Sequence, residues 1–223
     1  MPQASDGVLR EEQVTIHGKT WTVYAVGGSP AQTVQHAILE LMPRRPDLVV
    51  AGINHGENLT TSITISGTVG AALEAAAFGV PALAVSLEMP KEKQRGESDA
   101  DFSAAAHFTA HFGRLMMQAD GLPDVDVLKI DVPSDATPET PWRVTRLSRS
   151  QYYVPVSPGR EHLTEPVRVD FEIRFDQDLL EPDSDVFAVR VAREISVTPL
   201  SLDMTSRVDL EQLGRRLGAP TRG

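Results

Sequence analysis

Between Pro46 and Leu87 the chain reads PDLVVAGINHGENLTTSITISGTVGAALEAAAFGVPALAVSL, and no other stretch narrows the available folds as much. It opens on a short Val-rich run, residues 48–51, bounded by Pro46 and Gly52. An uninterrupted apolar run of that length, entering a Gly turn, reads as a buried strand of a parallel sheet. The carboxyl end of the strand delivers Asn54, Gly56 and Asn58 in a polar loop. Open α/β sheets collect ligands at that end. A second polar segment, residues 60–65, leads into Ser66-Gly67-Thr68, where the spacing predicts a helix. Val69, Leu73 and Ala76 fall on one face of it, and Gly79 followed by Pro81 stops it. Ser66 or Thr68 can cap that helix. Its free N–H groups, in a small, hydroxyl-rich start, also suit a phosphate. Residues 81–87 form the next strand.

The rest of the chain extends this α/β pattern and then leaves it. Residues 1–13 read as a lead-in without regular structure, followed by a hairpin around Gly18 that pairs residues 14–16 with 21–26. Ser29 is placed as an N-cap with Pro30 at the first helical position. Val34, Ile38, Leu41 and Met42 share a face of that helix, and Pro43 ends it. Residues 90–96 read as a charged loop. A long helix follows over 99–119, with Phe108, Phe112, Leu115 and Met116 at helical spacing, closed by Gly121 and Pro123. Strands are predicted at 125–132 and 143–147, with a loop at 133–141 between them. Residues 165–176 alternate strictly, with Val167, Val169, Phe171, Ile173 and Phe175 on one side. That is a half-buried antiparallel strand in a projecting hairpin or arm, with an apolar face that wants a partner surface. Asp183-Ser184-Asp185 can cap a short helix through about 192; a strand at 195–200 and a helix at 209–217 close the chain.

Composition excludes several functions. The 223 residues suit one α/β domain, alone or with an appendage, and at 41% hydrophobic they can bury a core. A net charge of −10 argues against a nucleic acid polymer as partner. With no cysteine, disulfides and thiolate metal sites are excluded. The start, MPQASDGVLR, has neither a basic region nor an apolar core to act as a signal peptide, and no run of about eighteen apolar residues spans a membrane. The expectation is a cytoplasmic protein with no membrane partner.

Three segments in order, G-I-N-x-G-x-N from Gly52, S-G-T-V-G-A-A-L-E from Ser66 and G-V-P-A-L-A-V-S-L from Gly79, closely resemble the SurE family of survival proteins. Gly28-Ser29-Pro30-Ala31-Gln32-Thr33-Val34 is similar to that family's G-T-P-A-D-C-V, with Gln32 and Thr33 in place of the usual Asp-Cys. VLKIDVP followed by RVTRLSRSQYY, and DSDVFAVRVAREISVTPLSLDMT, resemble it further, although the family usually has Asn near Lys129 to Asp131. The resemblance implies a three-layer, Rossmann-like α/β core with a mostly parallel sheet over residues 1–150. It implies a β-rich oligomerisation arm over 151–223, building a homodimer or homotetramer. It also implies a 5′/3′-nucleotidase that hydrolyses nucleoside monophosphates and depends on Mg²⁺ or Mn²⁺. In the family the metal is held by two adjacent aspartates of an N-D-D-G motif, by a serine of a later S-G motif, and by the first asparagine of G-I-N-x-G-x-N, here Asn54. Asn54 and Asn58 are then the catalytic candidates, and Ser66, Gly67 and Thr68 the phosphate-binding ones.

One departure matters: the chain contains no Asp-Asp pair, and Asp6-Gly7 is a lone fragment. The first recognisable family motif falls at Gly28, where the family has already used its first strand, first helix and second strand. The expectation is therefore a chain N-terminally truncated relative to the family, or a shortened relative that kept the scaffold and lost hydrolysis. A missing early strand would leave an open edge in the sheet. The alternative function is an inactive SurE-like assembly or nucleotide-binding protein. A third reading is a generic phosphate-binding domain using the helix start at Ser66.

Blander roles stand beside these. Asn54 and Asn58 can simply shape a loop, and Gly56 and Gly67 can simply permit tight backbone. His107 and His111 have metal-ligand spacing but no third ligand, and read as surface or boundary residues. His55 can reach substrate as a general acid or face solvent. Asp183 and Asp185 read as helix caps, and Lys91, Lys93 and Arg95 as a solvated charge cluster.

Overall fold

The computed structural model describes residues 6–90, 100–118 and 122–219. Strands β1 (Leu9–Ile16) and β2 (Lys19–Val26) form an antiparallel hairpin that turns at His17 and Gly18. The first strand thus starts at Leu9, inside the expected lead-in. Each residue of β2 has a partner, and the ladder runs back until Leu9 faces Val26. Helix α1 (Pro30–His36) begins with a reciprocal capping box. The Gln32 N–H donates to Ser29 Oγ at 3.2 Å, and the Ser29 N–H donates to Gln32 Oε1 at 2.8 Å. Gln32, a departure from the family pattern, therefore has a local structural use.

The strand–helix–strand unit expected from the sequence follows as β3 (Val49–His55), α2 (Gly67–Ala77) and β4 (Ala82–Leu87). Next come α3 (Ser103–Gln118), β5 (Val127–Val132), β6 (Trp142–Val144), β7 (Tyr153–Val156), β8 (Asp170–Ile173), β9 (Ile195–Leu200) and α4 (Leu210–Arg216). Five strands make the central sheet, in the order β3-β4-β5-β9-β6. The β3/β4, β4/β5 and β9/β6 pairings are parallel, and β5/β9 is antiparallel. The sheet is thus mostly parallel. β9, from late in the chain, lies within it. Among the described residues β3 and β6 are the two edges of this sheet.

Gly52 explains how β3 stays close to β4. Its φ is +120°, and a Cβ there would meet the Val85 carbonyl oxygen at 2.3 Å. The pairing register shifts between Ala51 and Asn54 around it.

β7 and β8 form a separate antiparallel pair. The expected long strand over 165–176 pairs only across Asp170–Ile173, because its partner is itself only four residues long. The strand expected at 143–147 pairs over Trp142–Val144, and Arg146 adds an isolated bridge to Ser184. The long helix starts at Ser103 rather than 99. Gly121, Lys91, Lys93 and Arg95 lie outside the described residues. No helix among the described residues is long and apolar enough to cross a membrane.

Candidate active site

Strands β4 and β5 are buried along their full lengths, yet their two faces differ. Leu83, Val85, Leu87, Leu128, Ile130 and Val132 point toward α3 and pack with Phe108, Phe112 and Met116. On the opposite face, Ala82, Ala84 and Val127 meet Val69, Ala72, Ala75 and Ala76 of α2. Small residues there let helix and sheet approach closely. Further along the strands that same face turns polar, with Ser86 on β4 and Lys129 and Asp131 on β5, all buried. The register then sets a row across the sheet: Asn54 beside Ser86, Ser86 beside Asp131, and Asp131 beside Ser196. This row lies at the carboxyl end of the parallel strands, where α/β sheets bind ligands.

Residues 54–60 run over the row and are tied down almost position by position. The Asn54 side-chain amide donates to the Gly56 carbonyl at 2.7 Å, and the Gly56 N–H donates to the Leu87 carbonyl at 2.8 Å. The buried Glu57 carboxylate accepts from the Tyr152 hydroxyl at 2.8 Å and from the Met89 N–H at 3.3 Å, while the Tyr153 hydroxyl donates to the Glu57 carbonyl at 2.6 Å. Asn58 donates its N–H to Asp131 Oδ1 and its side-chain amide to Ser86 Oγ, both at 2.7 Å. Thr60 donates its N–H to Asp185 Oδ2 at 2.9 Å. Thr60 has φ +62°, an uncommon conformation for a β-branched residue, and its buried surroundings hold it there.

Two charge clusters lie beneath this loop. Lys129 sits between Asp131 and Asp185, and all three side chains are fully buried. Its ammonium pairs with Asp131 and lies 3.2 Å from Asp185 Oδ2. Burial pushes the Asp131 carboxyl up to about 6 against the attraction of Lys129, and Asp185 nearby adds to the rise. Despite its own burial, the Lys129 ammonium is raised above its ordinary value, because two carboxylates face it. Glu88, just past β4, forms the second cluster. It pairs with Arg190 and with Arg193 (2.8 Å), and accepts from Ser134 N–H at 2.9 Å. Burial opposes its ionisation, but Arg193, the Ser134 N–H and Arg190 outweigh that and hold its carboxyl below the usual range. Burial, then the Glu57 charge, raises both the Tyr152 and Tyr153 hydroxyls, which remain protonated donors.

Above the loop is a cleft of ≈ 440 Å³. Its polar side includes Asn54, His55, Asn58, Ser62 and Ser66, and its opposite wall is Tyr153, Pro155 and Phe171 of the β7–β8 pair. The structure therefore brings Asn54, Asn58 and Ser66 together. Ser66 caps α2, its Oγ accepting from the Val69 N–H at 3.2 Å. Thr68 instead lines a neighbouring groove, with Pro30, Val34 and Asn54, so it neither caps the helix nor faces this cleft. Gly67 is a close-packing position, where a Cβ would meet Pro30 Cγ at 2.9 Å. His55 stacks on Phe102, with ring centroids 5.0 Å apart. His107 and His111 lie edge-on to Phe108 and Phe112 on α3, away from the cleft.

The donors around the cleft are mostly neutral. Asn54 offers an amide oxygen; of the two carboxylates that line the cleft, Glu57 is engaged with Tyr152 and Met89, and Asp170 belongs to β8. Among the described residues, one group of three acidic or His side chains converges closely enough to hold an ion. This is Glu161, His162 and Glu165, within 4.8 Å of one another and outside the cleft. A divalent cation that prefers oxygen ligands needs carboxylates to compete with water, and the described residues do not provide such a set beside Asn54.

The sequence reading missed most of the groups that shape this loop: Glu57, Lys129, Asp131, Tyr152 and Tyr153. A signal existed in VLKIDV, where charged residues interrupt a buried strand at alternate positions, since charges in such a run are paired. Asp185 is also different from its expected role. Its Oδ1 accepts from Ser148 and Val186 N–H groups, and the capping of the following turn falls to Ser184, whose Oγ accepts from Phe187 N–H at 3.2 Å. Asp183 pairs with Arg146 at the surface.

A profile of the family described as Survival protein SurE matches residues 4–154. The chain is 42% identical over 210 residues to the 5′-nucleotidase SurE of Thermococcus gammatolerans, covering 92% of this chain and 76% of that protein. It is 40% identical over 215 residues to the 5′-nucleotidase SurE of Thermococcus kodakarensis, covering 95% and 80%. Among solved structures, the SurE protein from Aquifex aeolicus matches with a TM-score of 0.67 and 26% identity, over 93% of this chain and 80% of that one.

Proposed function

We propose, since this chain belongs to the SurE family, that it is a phosphomonoesterase of the 5′-nucleotidase type, converting nucleoside monophosphates to nucleoside and phosphate. The observation that carries this reading is the 42% identity, across 92% of the chain, to a protein named as a 5′-nucleotidase. The cleft is chemically suited to the task. Asn58 and the α2 start at Ser66 offer polar contacts and helix N–H groups to a phosphate. The wall of Tyr153, Pro155 and Phe171 offers an apolar surface to a base. Thr68 and Gly67 complete the proposed phosphate group through backbone N–H groups at the helix start. Assembly as a homodimer or homotetramer through residues 151–223, and a cytoplasmic setting, belong to the same reading.

The family resemblance implies Mg²⁺ or Mn²⁺. Of the implied ligands this chain supplies Asn54, and its sequence has no Asp-Asp pair. An amide oxygen needs several carboxylates beside it to hold a divalent cation against water, and among the described residues no group of three acidic or His side chains converges beside Asn54, so these residues do not fit a complete metal site. The lack of a converging carboxylate set beside Asn54 among the described residues supports a second reading: a SurE-like protein that binds nucleotides and assembles without hydrolysing them.

Phosphate release from purine and pyrimidine monophosphates, with Mn²⁺ or Mg²⁺ and a chelator control, separates the two readings. Release that the chelator abolishes and Asn54→Ala removes is the expected result for a nucleotidase. A folded chain that binds adenosine 5′-monophosphate without releasing phosphate overturns it in favour of the second reading.

A further inference from the structure

Loops at the ends of sheet strands are commonly mobile, whereas residues 56–60 are buried at four of five positions. Their hydrogen bonds explain the difference. Two of the loop's N–H groups, those of Asn58 and Thr60, donate to carboxylates rather than to backbone carbonyls. Those carboxylates, Asp131 on β5 and Asp185 beyond the β7–β8 pair, are 54 residues apart in sequence (185 − 131) and share one cation, Lys129. The Asp185 oxygen that accepts from Thr60 is also the one nearest Lys129. The other Asp185 oxygen holds Ser148, so a single carboxylate links the loop to the chain that leads into β7.

We propose that Lys129, Asp131 and Asp185 are positioning residues for the cleft. They form a buried ionic clamp that sets the backbone of Asn58 and Thr60, and through it aims the Asn58 side chain at the row formed by Asn54 and Ser86. The inference rests on the reading of the cleft as the phosphate site, and adds to it a group of residues that touch no substrate. Three features support it. The clamp has no exposed surface and no contact with the cleft, so it is not itself a ligand site. Its acceptors are charged, and charge-assisted hydrogen bonds are stronger and more directional than neutral ones. It secures Thr60 in a left-handed conformation that an unconstrained Thr avoids. A hydrophobic replacement for Lys129 would fill the same volume but leave two buried carboxylates without a cation.

The test is amide hydrogen exchange on the full chain, read by NMR at Asn58 and Thr60 and referenced to Val85 within the sheet. Asp131→Asn keeps an oxygen acceptor, removes the excess negative charge and leaves Lys129 paired with Asp185. It is expected to speed exchange at Asn58 about tenfold, from the loss of a charged acceptor, with Thr60 unchanged. Lys129→Met is expected to speed exchange at both. Weaker binding of adenosine 5′-monophosphate in the presence of Mn²⁺, or a raised KM with kcat little changed, accompanies the loosened loop. Exchange at Asn58 that stays at the parent rate in Asp131→Asn overturns the clamp. So does a uniform rise that includes Val85, which reports general destabilisation. If Lys129→Met fails to fold, Asp131→Asn alone still decides. If the parent chain neither binds nor hydrolyses the nucleotide, a selective rise at Asn58 still establishes the clamp and only the nucleotidase reading falls.

Discussion

Under α3 the central strands present Leu83, Val85, Leu87, Leu128, Ile130 and Val132; under α2 the same strands present Ala82, Ala84, Ser86, Val127, Lys129 and Asp131. The first set is large, apolar and continuous with the aromatic side chains of α3. Its partners are interchangeable in kind, since any well-packed apolar group of similar volume serves. The second set begins small and becomes charged, and each polar member has a specific partner: Asn58 for Ser86, Asn58 N–H and Lys129 for Asp131, Asp185 for Lys129. Specific partners define positions more narrowly than packing does. One face therefore supplies the bulk of the stabilisation, and the other sets where the loop at residues 54–60 lies.

The largest expected effect removes mass from the apolar face. Phe112 is buried against Phe108 and Trp142. Phe112→Ala is expected to lower stability by about 3–5 kcal/mol in urea unfolding, with no selective change in exchange at Asn58. Selective loosening of the loop instead would mean that the two faces are not separable. The next effect belongs to the polar face and depends on pH. The Asp131 carboxyl lies at about 6 in the folded chain against an ordinary 3.8, so the folded state holds its proton more tightly than the unfolded state does. Its contribution is fully present below pH ~4 and is lost as pH rises through about 6, a change on the order of 2–3 kcal/mol. Asp131→Asn is expected to remove that part of the slope from urea midpoints measured between pH 4 and 7. An unchanged slope would mean that Asp131 is ionised throughout and fully balanced by Lys129.

Much of the apolar face was legible before the fold was known, because its rules act locally. The run at residues 81–87, the helical spacing of Phe108, Phe112 and Met116, and the Ser29 and Ser66 caps each follow from a few neighbouring residues. The cleft was legible in part: Asn54, Asn58 and Ser66 do meet, since one strand–loop–helix unit carries all three. What the chain order concealed is long-range. Tyr152 reaches Glu57 across 95 residues and Asp185 reaches Thr60 across 125. No periodicity encodes such a pairing. Asp185 beside Ser184 looks like a cap, because local hydrogen bonding is the commoner use of Asp before a helical turn. Thr68 was misleading for a related reason, as a position two residues beyond the Ser66 cap turns its side chain into a different groove.

A smaller effect tests whether the polar face reaches the ligand. Asn58 binds Ser86 through its side chain while facing the cleft. Asn58→Ala is expected to weaken adenosine 5′-monophosphate binding about tenfold, roughly 1.4 kcal/mol, as read by calorimetry with Mn²⁺ present. Retained affinity would confine Asn58 to supporting Ser86 and the loop.

The smallest effect concerns Ser66, where cap and ligand contact overlap in one hydroxyl. The Oγ accepts from the Val69 N–H at 3.2 Å, so truncation costs helix stability whatever the ligand does. Substituting an N-cap Ser by Ala costs about 1 kcal/mol, whereas Gly in that place costs only a few tenths. Comparing the two separates the roles. Ser66→Ala is expected to lower the urea midpoint measurably and Ser66→Gly hardly at all, while both remove the same oxygen from the cleft. If nucleotide affinity falls equally in both variants, the hydroxyl contacts the phosphate and the polar surface of the site continues from the sheet row onto the helix start. If affinity falls only with Ala, the ligand senses the order of α2, and its N–H groups rather than the Ser66 side chain bind the phosphate. If affinity is untouched in both, Ser66 is a cap alone, and recognition is confined to Asn54, Asn58 and the strand ends that the buried charges hold in place.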